Sequence, residues 1–433
     1  MRVIIWGINY APEPTGIAPY TTELAEHLQS QGLRVDVLAG FPYYPAWRKD
    51  PGDAGRIYRS EKVGAVTVHR CWQYVPVRIS ALRRMVHELS FGVSSLLRAL
   101  VLPRADLYVV ISPPLGLGIV AWLVTRLKRS RYLFHVQDLQ PDSAAGLGMV
   151  RAGIFLRLMY ACERFAYRGA AGVSGISPGM IDAFAAKGVP SGKIFLLPNW
   201  LRQPPAGVPE TVTPAEFRKT HGVPADAFLA VYSGNLGKKQ GLDALLDAAE
   251  ILEKERDRPA RKIVLIIAGD GAGQFAIAGR LKERPLDNIR LLPLQPAEAY
   301  RAMLRAADVA LVTQMPGTGQ VCFPSKLLSV LSAGLPVLTA ADETSDLARA
   351  VGDGGFGRNV PAAAPEAMAA ALGEMADRPS QLAEWRENTR WVGRFSPGVM
   401  LGRFEGVVRD LGGSNGGGLP RPLEPAPHRG NSQ

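Results

Sequence analysis

A succession of short, unbroken apolar runs, separated by segments of helix length, restricts this chain more than any other feature. In the first half the runs are VIIWG (3–7), VDVLAG (35–40), LYVVIS (107–112), YLFHVQD (132–138), GVSGIS (172–177) and IFLLPN (194–199). In the second half they are FLAVYSG (228–234), IVLIIAGDG (263–271), IRLLPL (289–294), VALVT (309–313) and PVLTA (336–340). A strand covered on one face alternates apolar and polar residues, whereas a parallel strand buried on both faces is apolar throughout. The pattern predicts an α/β chain of two doubly wound, Rossmann-like domains. The prolines and glycine of NWLRQPPAGVPE interrupt both periodicities and read as a linker at 200–210. The domains are accordingly expected at 1–199 and 211–411, the last helix being a candidate to cross back to the N-terminal domain. Residues 412–433 have too few apolar side chains to pack and read as a disordered tail.

Composition narrows the function classes. With 47% hydrophobic and 21% charged residues in 433, the chain resembles an ordinary globular protein large enough for two cores. Its net charge of +11 points to an anionic partner: a nucleotide, a nucleic acid or a membrane leaflet. No nucleic-acid module or basic–aromatic repeat accompanies that charge, so nucleic acid is not expected. Cys71, Cys162 and Cys322 lack paired spacing, which argues against a disulfide framework and a zinc site and suggests the reducing cytoplasm. MRVIIWG is too short for the apolar core of a secretory signal, and LGLGIVAWLV falls well below the roughly 18 residues that would span a bilayer.

In open sheets of this type, ligands bind beyond the carboxyl ends of the strands. There GNLGKKQGLD (234–243) follows a strand with three glycines and two lysines, which suits either a tight turn with solvated lysines or a cradle for an anion such as phosphate. AGDGAG (268–273) follows the next strand, and FPSKLLSVLSAGLPV (323–337) reads as a helix capped by Ser325, with Lys326 at its first position and Gly334 at its end. In the first half, Gly16 lies in INYAPEPTGIAPY, at the expected start of a helix. This is not the G-x-G-x-x-G fingerprint, and the second strand ends in LAGFPYYP instead of an acidic residue, so a nicotinamide dehydrogenase is disfavoured.

The ordered set YSGNLGKKQGLD, AGDG, LLPLQP, AADVALV and FPSKLLSVLSAGLPV resembles the donor-nucleotide half of a family 4 GT-B glycosyltransferase. GINYAPEPTGIAPYTTELAEHLQSQG, GFPYYPAW, HVQDLQPDSAAGLG and LPNW narrow the resemblance to the branch that builds colanic acid and similar exopolysaccharides. It covers about residues 1–410. It implies two domains flanking a cleft, a GDP- or UDP-linked sugar as co-substrate, no further cofactor and no metal. Carried over residue by residue, it implies that Gly16, Gly234, Asn235, Lys238, Lys239, Gly269, Asp270, Leu294, Ser325, Lys326 and Leu327 meet the donor. Two departures stand out. Asn235 and Gln240 occupy the places of the family's usual arginine and lysine, and Val321 and Ser329 those of its usual glutamate pair.

His135 and Asp138 close the strand YLFHVQD, and the resemblance gives the histidine a contact with the transferred sugar in a reaction that retains anomeric configuration. Such a transfer needs no enzyme nucleophile when the departing phosphate takes the acceptor proton. Glu13, in APEPTG, is a candidate acceptor contact. Between Leu82 and Leu100 apolar residues recur at helical spacing, and Arg84, His87, Phe91 and Arg98 share the opposite side. That basic and aromatic side is expected to meet an anionic membrane surface. The sequence thus reads as a glycosyltransferase acting on a polyprenyl-diphosphate-linked saccharide, peripheral on the cytoplasmic face of the membrane. A sugar-nucleotide epimerase or hydrolase, or a non-catalytic sugar-nucleotide-binding protein, is the alternative.

Overall fold

The structure is a computed structural model that describes residues 1–78, 80–146, 153–202, 212–255, 261–317 and 326–413. Most of the expected linker, the expected tail from residue 414, Ser325 and the side chain of Lys238 lie outside the described residues. The chain divides into two compact units, one formed by Met1–Asn199 with the chain from Gly398 onward, the other by Trp200–Pro397.

In the first unit an eight-stranded sheet contains β1 (Arg2–Trp6), β2 (Arg34–Gly40), β3 (Tyr58–Val63), β4 (Val66–Cys71), β5 (Leu107–Ser112), β6 (Arg131–Val136), β7 (Gly172–Gly175) and β8 (Ile194–Leu196), in the order β3-β4-β2-β1-β5-β6-β7-β8. All neighbours are parallel except β3 and β4. All six residues of β5 are buried, as an unbroken apolar run requires of a central strand. The order reverses between β1 and β5, which makes their carboxyl ends the switch point of this unit. The helix Pro397–Gly412 returns to this unit. Phe404 packs against the His135 ring at 5.0 Å, Glu405 pairs with His27 at 3.2 Å, and the Arg409 guanidinium donates to Gln31 O at 2.9 Å.

The second unit holds β9 (Phe228–Asn235), β10 (Ile263–Asp270), β11 (Ile289–Leu292), β12 (Val309–Thr313), β13 (Val337–Ala340) and β14 (Gly357–Val360), in the order β11-β10-β9-β12-β13-β14 and parallel throughout. Successive side chains of β9 enter opposite layers. Leu229 and Val231 join a core with Phe217, Leu331 and Phe356, while Phe228, Ala230 and Tyr232 join one with Leu245, Leu246 and Leu372. Two apolar layers around one parallel sheet make the unit doubly wound. Its strand order is that of a dinucleotide-binding domain, with the switch point between β9 and β12.

The helix Ala81–Val101 lies the other way round from the sequence expectation. Phe91 is fully buried and His87 is 2% exposed, while Leu82, Val86, Leu89, Val93 and Leu97 face outward. Small residues explain the reversal. Gly92, Ser94, Ser95 and Ala99 share the buried side with Phe91, which lets the backbone approach the sheet. The hydroxyl of Ser94 donates to Trp72 O at 2.5 Å, and Ser90 Oγ accepts from Tyr74 N at 2.8 Å. Arg98 turns back to Ser60 Oγ at 2.8 Å, and Arg84 pairs with Glu88 at 3.2 Å. The proposed contact through Arg84, His87, Phe91 and Arg98 is therefore corrected: these side chains form the inner side and its rim.

Candidate functional site

At the carboxyl end of β9 the chain must turn sharply beside β10, and glycine permits it. Gly269 is aligned with Gly234, and a Cβ at 269 would stand 1.9 Å from Gly234 O. Gly241, at φ +60°, has its α-carbon directed at Gln314, where a Cβ would lie 3.2 Å from the carbonyl oxygen. Hydrogen bonds tie the turn to both neighbours. Leu236 N donates to Asp270 O at 2.8 Å, Met315 N to Lys239 O at 2.8 Å, and Thr313 Oγ1 to Gln240 O at 2.6 Å.

Lys326, the first residue of the helix Lys326–Ser332, reaches over this turn. Its ammonium lies 4.1 Å from the Tyr232 ring centroid and 3.2 Å from Gln240 Oε1, and its Cδ is 3.7 Å from where a Gly234 Cβ would be. Burial pushes the Tyr232 hydroxyl far above its usual range, so it stays neutral and donates to Asn235 O at 2.8 Å. A cation held over a glycine turn at the switch point of a doubly wound sheet can receive an anionic group. Of the other residues expected there, Asn235 and Asp270 are exposed at adjacent strand ends, and Asp270 Oδ1 accepts from Gly271 N at 2.7 Å. Leu294 is exposed, and Leu327 is wholly buried in the core, where it packs.

The first unit has a pocket of about 260 Å³ beside its own switch point. Tyr43, Tyr44 and Trp47 line it together with Arg84, His87 and Glu88. The Tyr43 ring meets Trp47 at 5.2 Å and His87 at 4.6 Å, both edge to face. His87 Nδ1 donates to Tyr74 O at 2.5 Å, and burial lowers the pKa of the ring, which keeps it neutral. Gly16, expected with the donor, lies in this pocket wall at φ +71°, with the Tyr44 ring 3.4 Å from its Cβ position.

Glu13, the candidate acceptor contact, is 5% exposed and does not line the pocket. Its Oε1 accepts from Tyr43 N and Tyr44 N, each at 2.9 Å, and its Oε2 accepts from Asn9 Nδ2 at 2.8 Å. Burial raises its pKa, and these hydrogen bonds partly oppose the rise. It thus positions the aromatic loop. Buried Arg70 does the same for the facing loop, bonding Gly40 O at 3.2 Å and Ala11 O. An aromatic wall with an Arg–Glu pair at its rim suits a polyhydroxylated ring, whose C–H faces pack and whose hydroxyls hydrogen-bond.

His135 is 3% exposed, and burial alone lowers its pKa to about 3. Its Nδ1 lies 2.9 Å from Ser174 Oγ and its Nε2 lies 2.9 Å from Gln137 Nε2. Gln137 in turn pairs with Asn199 through reciprocal amide bonds of 3.0 and 2.8 Å. Asp138 accepts from Ser143 Oγ at 2.7 Å instead of turning to His135. Sequence reasoning missed Gln137, two residues beyond His135 in YLFHVQD, and also Ser174 and Asn199, which come from β7 and from the chain after β8 with no local spacing to connect them to the histidine. Among the described residues no group of three His, Cys, Asp or Glu side chains is arranged to hold a metal.

Comparison with known proteins fits this geometry. Residues 15–200 match the Glycosyl transferase 4-like domain and residues 214–391 the Glycosyl transferases group 1 domain. WcaI of Escherichia coli (strain K12), named for glycosyl transfer in colanic acid biosynthesis, is 33% identical over 352 residues, covering 80% of this chain and 85% of its own length. Sucrose-phosphate synthase from Thermosynechococcus elongatus shares the fold with a TM-score of 0.70 at 18% identity, over 95% of this chain and 98% of that one. HepE of Anabaena, crystallised with UDP-glucose, does so with a TM-score of 0.63 at 14% identity, over 95% and 100%. The two doubly wound domains, the two matching domain families and the relative spanning most of both chains lead to one conclusion: the chain belongs to the family 4 glycosyltransferases of GT-B architecture.

Proposed function

We propose that the protein transfers a sugar, with retention of anomeric configuration, from a nucleoside-diphosphate sugar to a lipid-linked saccharide in exopolysaccharide synthesis at the cytoplasmic face of the membrane. The observation that carries this reading is the ammonium of Lys326 held over the Gly234 turn at the β9–β12 switch point. There the donor diphosphate meets a cation and a backbone free of side-chain bulk, and charge developing on the leaving group is stabilised at close range. The scheme assigns that charge to protein groups, with no cofactor beyond the sugar nucleotide. Acceptor binding is assigned to the pocket of the first unit, where Tyr43 and Trp47 offer packing surface and Glu88 a hydroxyl acceptor.

The test is incubation of the purified protein with GDP- and UDP-sugars and a polyprenyl-diphosphate-linked saccharide, in the presence and absence of a chelator, with the product analysed by NMR. Acceptor-dependent product of unchanged anomeric configuration is expected, at similar rates with and without chelator. Donor consumption without acceptor would favour a hydrolase or epimerase, and binding without turnover a sensor of sugar nucleotides. An inverted product would overturn the mechanism.

A further inference from the structure

The outward side of the helix Ala81–Val101 carries an apolar stripe where a surface helix ordinarily carries polar residues. Leu82, Val86, Leu89, Val93, Leu97 and Leu100 follow one another by three or four positions, and their exposure runs from 39% at Leu100 to 69% at Leu82 and Leu89. Single exposed apolar side chains need no explanation, but a continuous stripe of them does.

The stripe does not stand alone. The helices Ala81–Val101, Leu117–Lys128 and Ile154–Gly169 precede β5, β6 and β7, and the strands β1, β5, β6 and β7 lie side by side in that order. Right-handed crossovers moving in one direction across a sheet place their helices on the same face. The contacts agree. The middle helix abuts the first where the Cβ position of Gly92 lies 3.8 Å from Val120, and it closes on the third where that of Gly118 lies 2.4 Å from Ala166 Cβ. Trp122 and Phe165 meet edge to face at 4.9 Å. Ile119, Leu123 and Leu127 on the middle helix and Ile154, Leu158 and Phe165 on the third are likewise exposed.

Charge identifies what covers this face. The three helices hold eight Arg and Lys residues against two Glu. Glu163 is buried, and Glu88 is paired with Arg84. Arg83, Arg126, Arg157, Arg164 and Arg168 are exposed beside the apolar side chains. Leucine and isoleucine flanked by exposed arginines match a surface that is hydrocarbon beneath and anionic above.

We infer that the outer face of these three helices seats on an anionic lipid leaflet, the apolar stripe entering the headgroup boundary and the arginines meeting lipid phosphates. The surface stands on its own observations, and its connection to an acceptor rests on the glycosyl-transfer reading. That connection is geometric. Arg84, His87 and Glu88, in the first two turns of the same helix, line the pocket of this unit, so the pocket opens within about one helix diameter, on the order of 10 Å, of the seated stripe. An acceptor bound there presents the sugars nearest its lipid anchor.

The test uses full-length protein and vesicles of phosphatidylcholine with about one-third phosphatidylglycerol, enough to give a negative surface potential, without donor or acceptor. Wild-type protein is expected to co-sediment with these vesicles, to bind pure phosphatidylcholine at least tenfold more weakly, and to be monomeric by light scattering without lipid. Leu89→Glu/Val93→Glu/Leu97→Glu should lower vesicle binding at least tenfold while keeping the wild-type Tm and nucleotide affinity. Arg83→Gln/Arg126→Gln/Arg157→Gln should abolish the salt-sensitive part of binding. Wild-type protein that ignores anionic vesicles, or a Glu variant that binds as wild type does, overturns the inference. So does a wild-type dimer that the Glu variant dissociates, because the face then belongs to a second copy. None of these results depends on sugar transfer, so loss of transfer with intact vesicle binding would count against the proposed function alone.

Discussion

Gln137 Nε2 lies 2.9 Å from His135 Nε2, and this contact fixes the state of the histidine. An amide nitrogen only donates, so His135 Nε2 accepts, and the ring proton sits on Nδ1, which donates to Ser174 Oγ at 2.9 Å. The ring is neutral, and both nitrogens are engaged. Any contact with a bound sugar would pass through a ring already oriented by Gln137 and Asn199, and charge on the imidazole plays no part in it.

The pH dependence of stability follows. Burial lowers the pKa of His135 from 6.5 to about 3 in the folded protein. Between those values the unfolded chain holds a proton that the folded chain does not, so stability is full above 6.5 and falls as the pH drops. The slope is at most about 1.4 kcal/mol per pH unit for one group. Thermal melts from pH 7 to pH 4.5 should show a shallower acid limb for His135→Gln than for wild type. Parallel limbs would show that the histidine is already solvated in the native state.

Lys326 gives the test of the proposed donor site. Replacing it by alanine removes the ammonium above the Gly234 turn and should weaken GDP or UDP binding by about 1.5–3 kcal/mol, on the order of ten- to a hundredfold in Kd. Because the side chain stands over the turn while the core lies beneath Leu327, Tm should change little. Calorimetry with both nucleotides, alongside a thermal melt, separates the two effects.

Much of this was legible in the sequence, for reasons that differ by element. The strands β1, β5, β9 and β10 are buried on both faces, and their runs carry that fact residue by residue. The edge strands β3 and β14 went unseen because YRSEKV and GRNV are half polar and half exposed, and β4 because VTVHRC buries His69 and Arg70 through hydrogen bonds to Ser60 and Glu61 that a hydropathy pattern does not register. The turn after β9 was readable because glycine spacing reports backbone crowding directly. Periodicity in the helix Ala81–Val101 located a stripe but could not say which side faces the sheet. Small residues at Gly92, Ser95 and Ala99 decided that, and a hydrophobicity pattern gives them little weight. Of the groups around His135, Gln137 lies two residues along the same strand end, whereas Ser174 and Asn199 were beyond local reading because β7 and the chain after β8 supply them.

The crowding at Gly269 predicts a pair of opposite outcomes. Alanine at 269 would place Cβ 1.9 Å from Gly234 O, so Gly269→Ala should separate the ends of β9 and β10, destabilise the protein by about 1–3 kcal/mol and impair nucleotide binding with it. Gly279, inside the helix Gln274–Glu283, has nothing within 4 Å of its Cβ position. Gly279→Ala should stabilise by about 0.5–1 kcal/mol and leave binding unchanged. Chemical denaturation of both variants is the measurement.

Glu13 tests the pocket of the first unit through the loop it holds. Its Oε1 takes the N–H groups of both Tyr43 and Tyr44 at 2.9 Å, so the carboxylate fixes the backbone from which the aromatic wall projects. Glutamine keeps one oxygen for those two donors and turns its amide toward Asn9, which must rotate to accept from it. Alanine leaves both N–H groups without that acceptor, at about 1–3 kcal/mol for each. Glu13→Ala should therefore raise the KM for a saccharide acceptor severalfold or more and lower Tm, while Kd for the donor nucleotide stays near wild type. Glu13→Gln should recover most of the loss. A residue that contacted the acceptor through its negative charge would behave differently, since glutamine would then fail as alanine does and Tm would hardly move. Steady-state kinetics and melts on the two variants therefore distinguish a positioning carboxylate from a substrate contact.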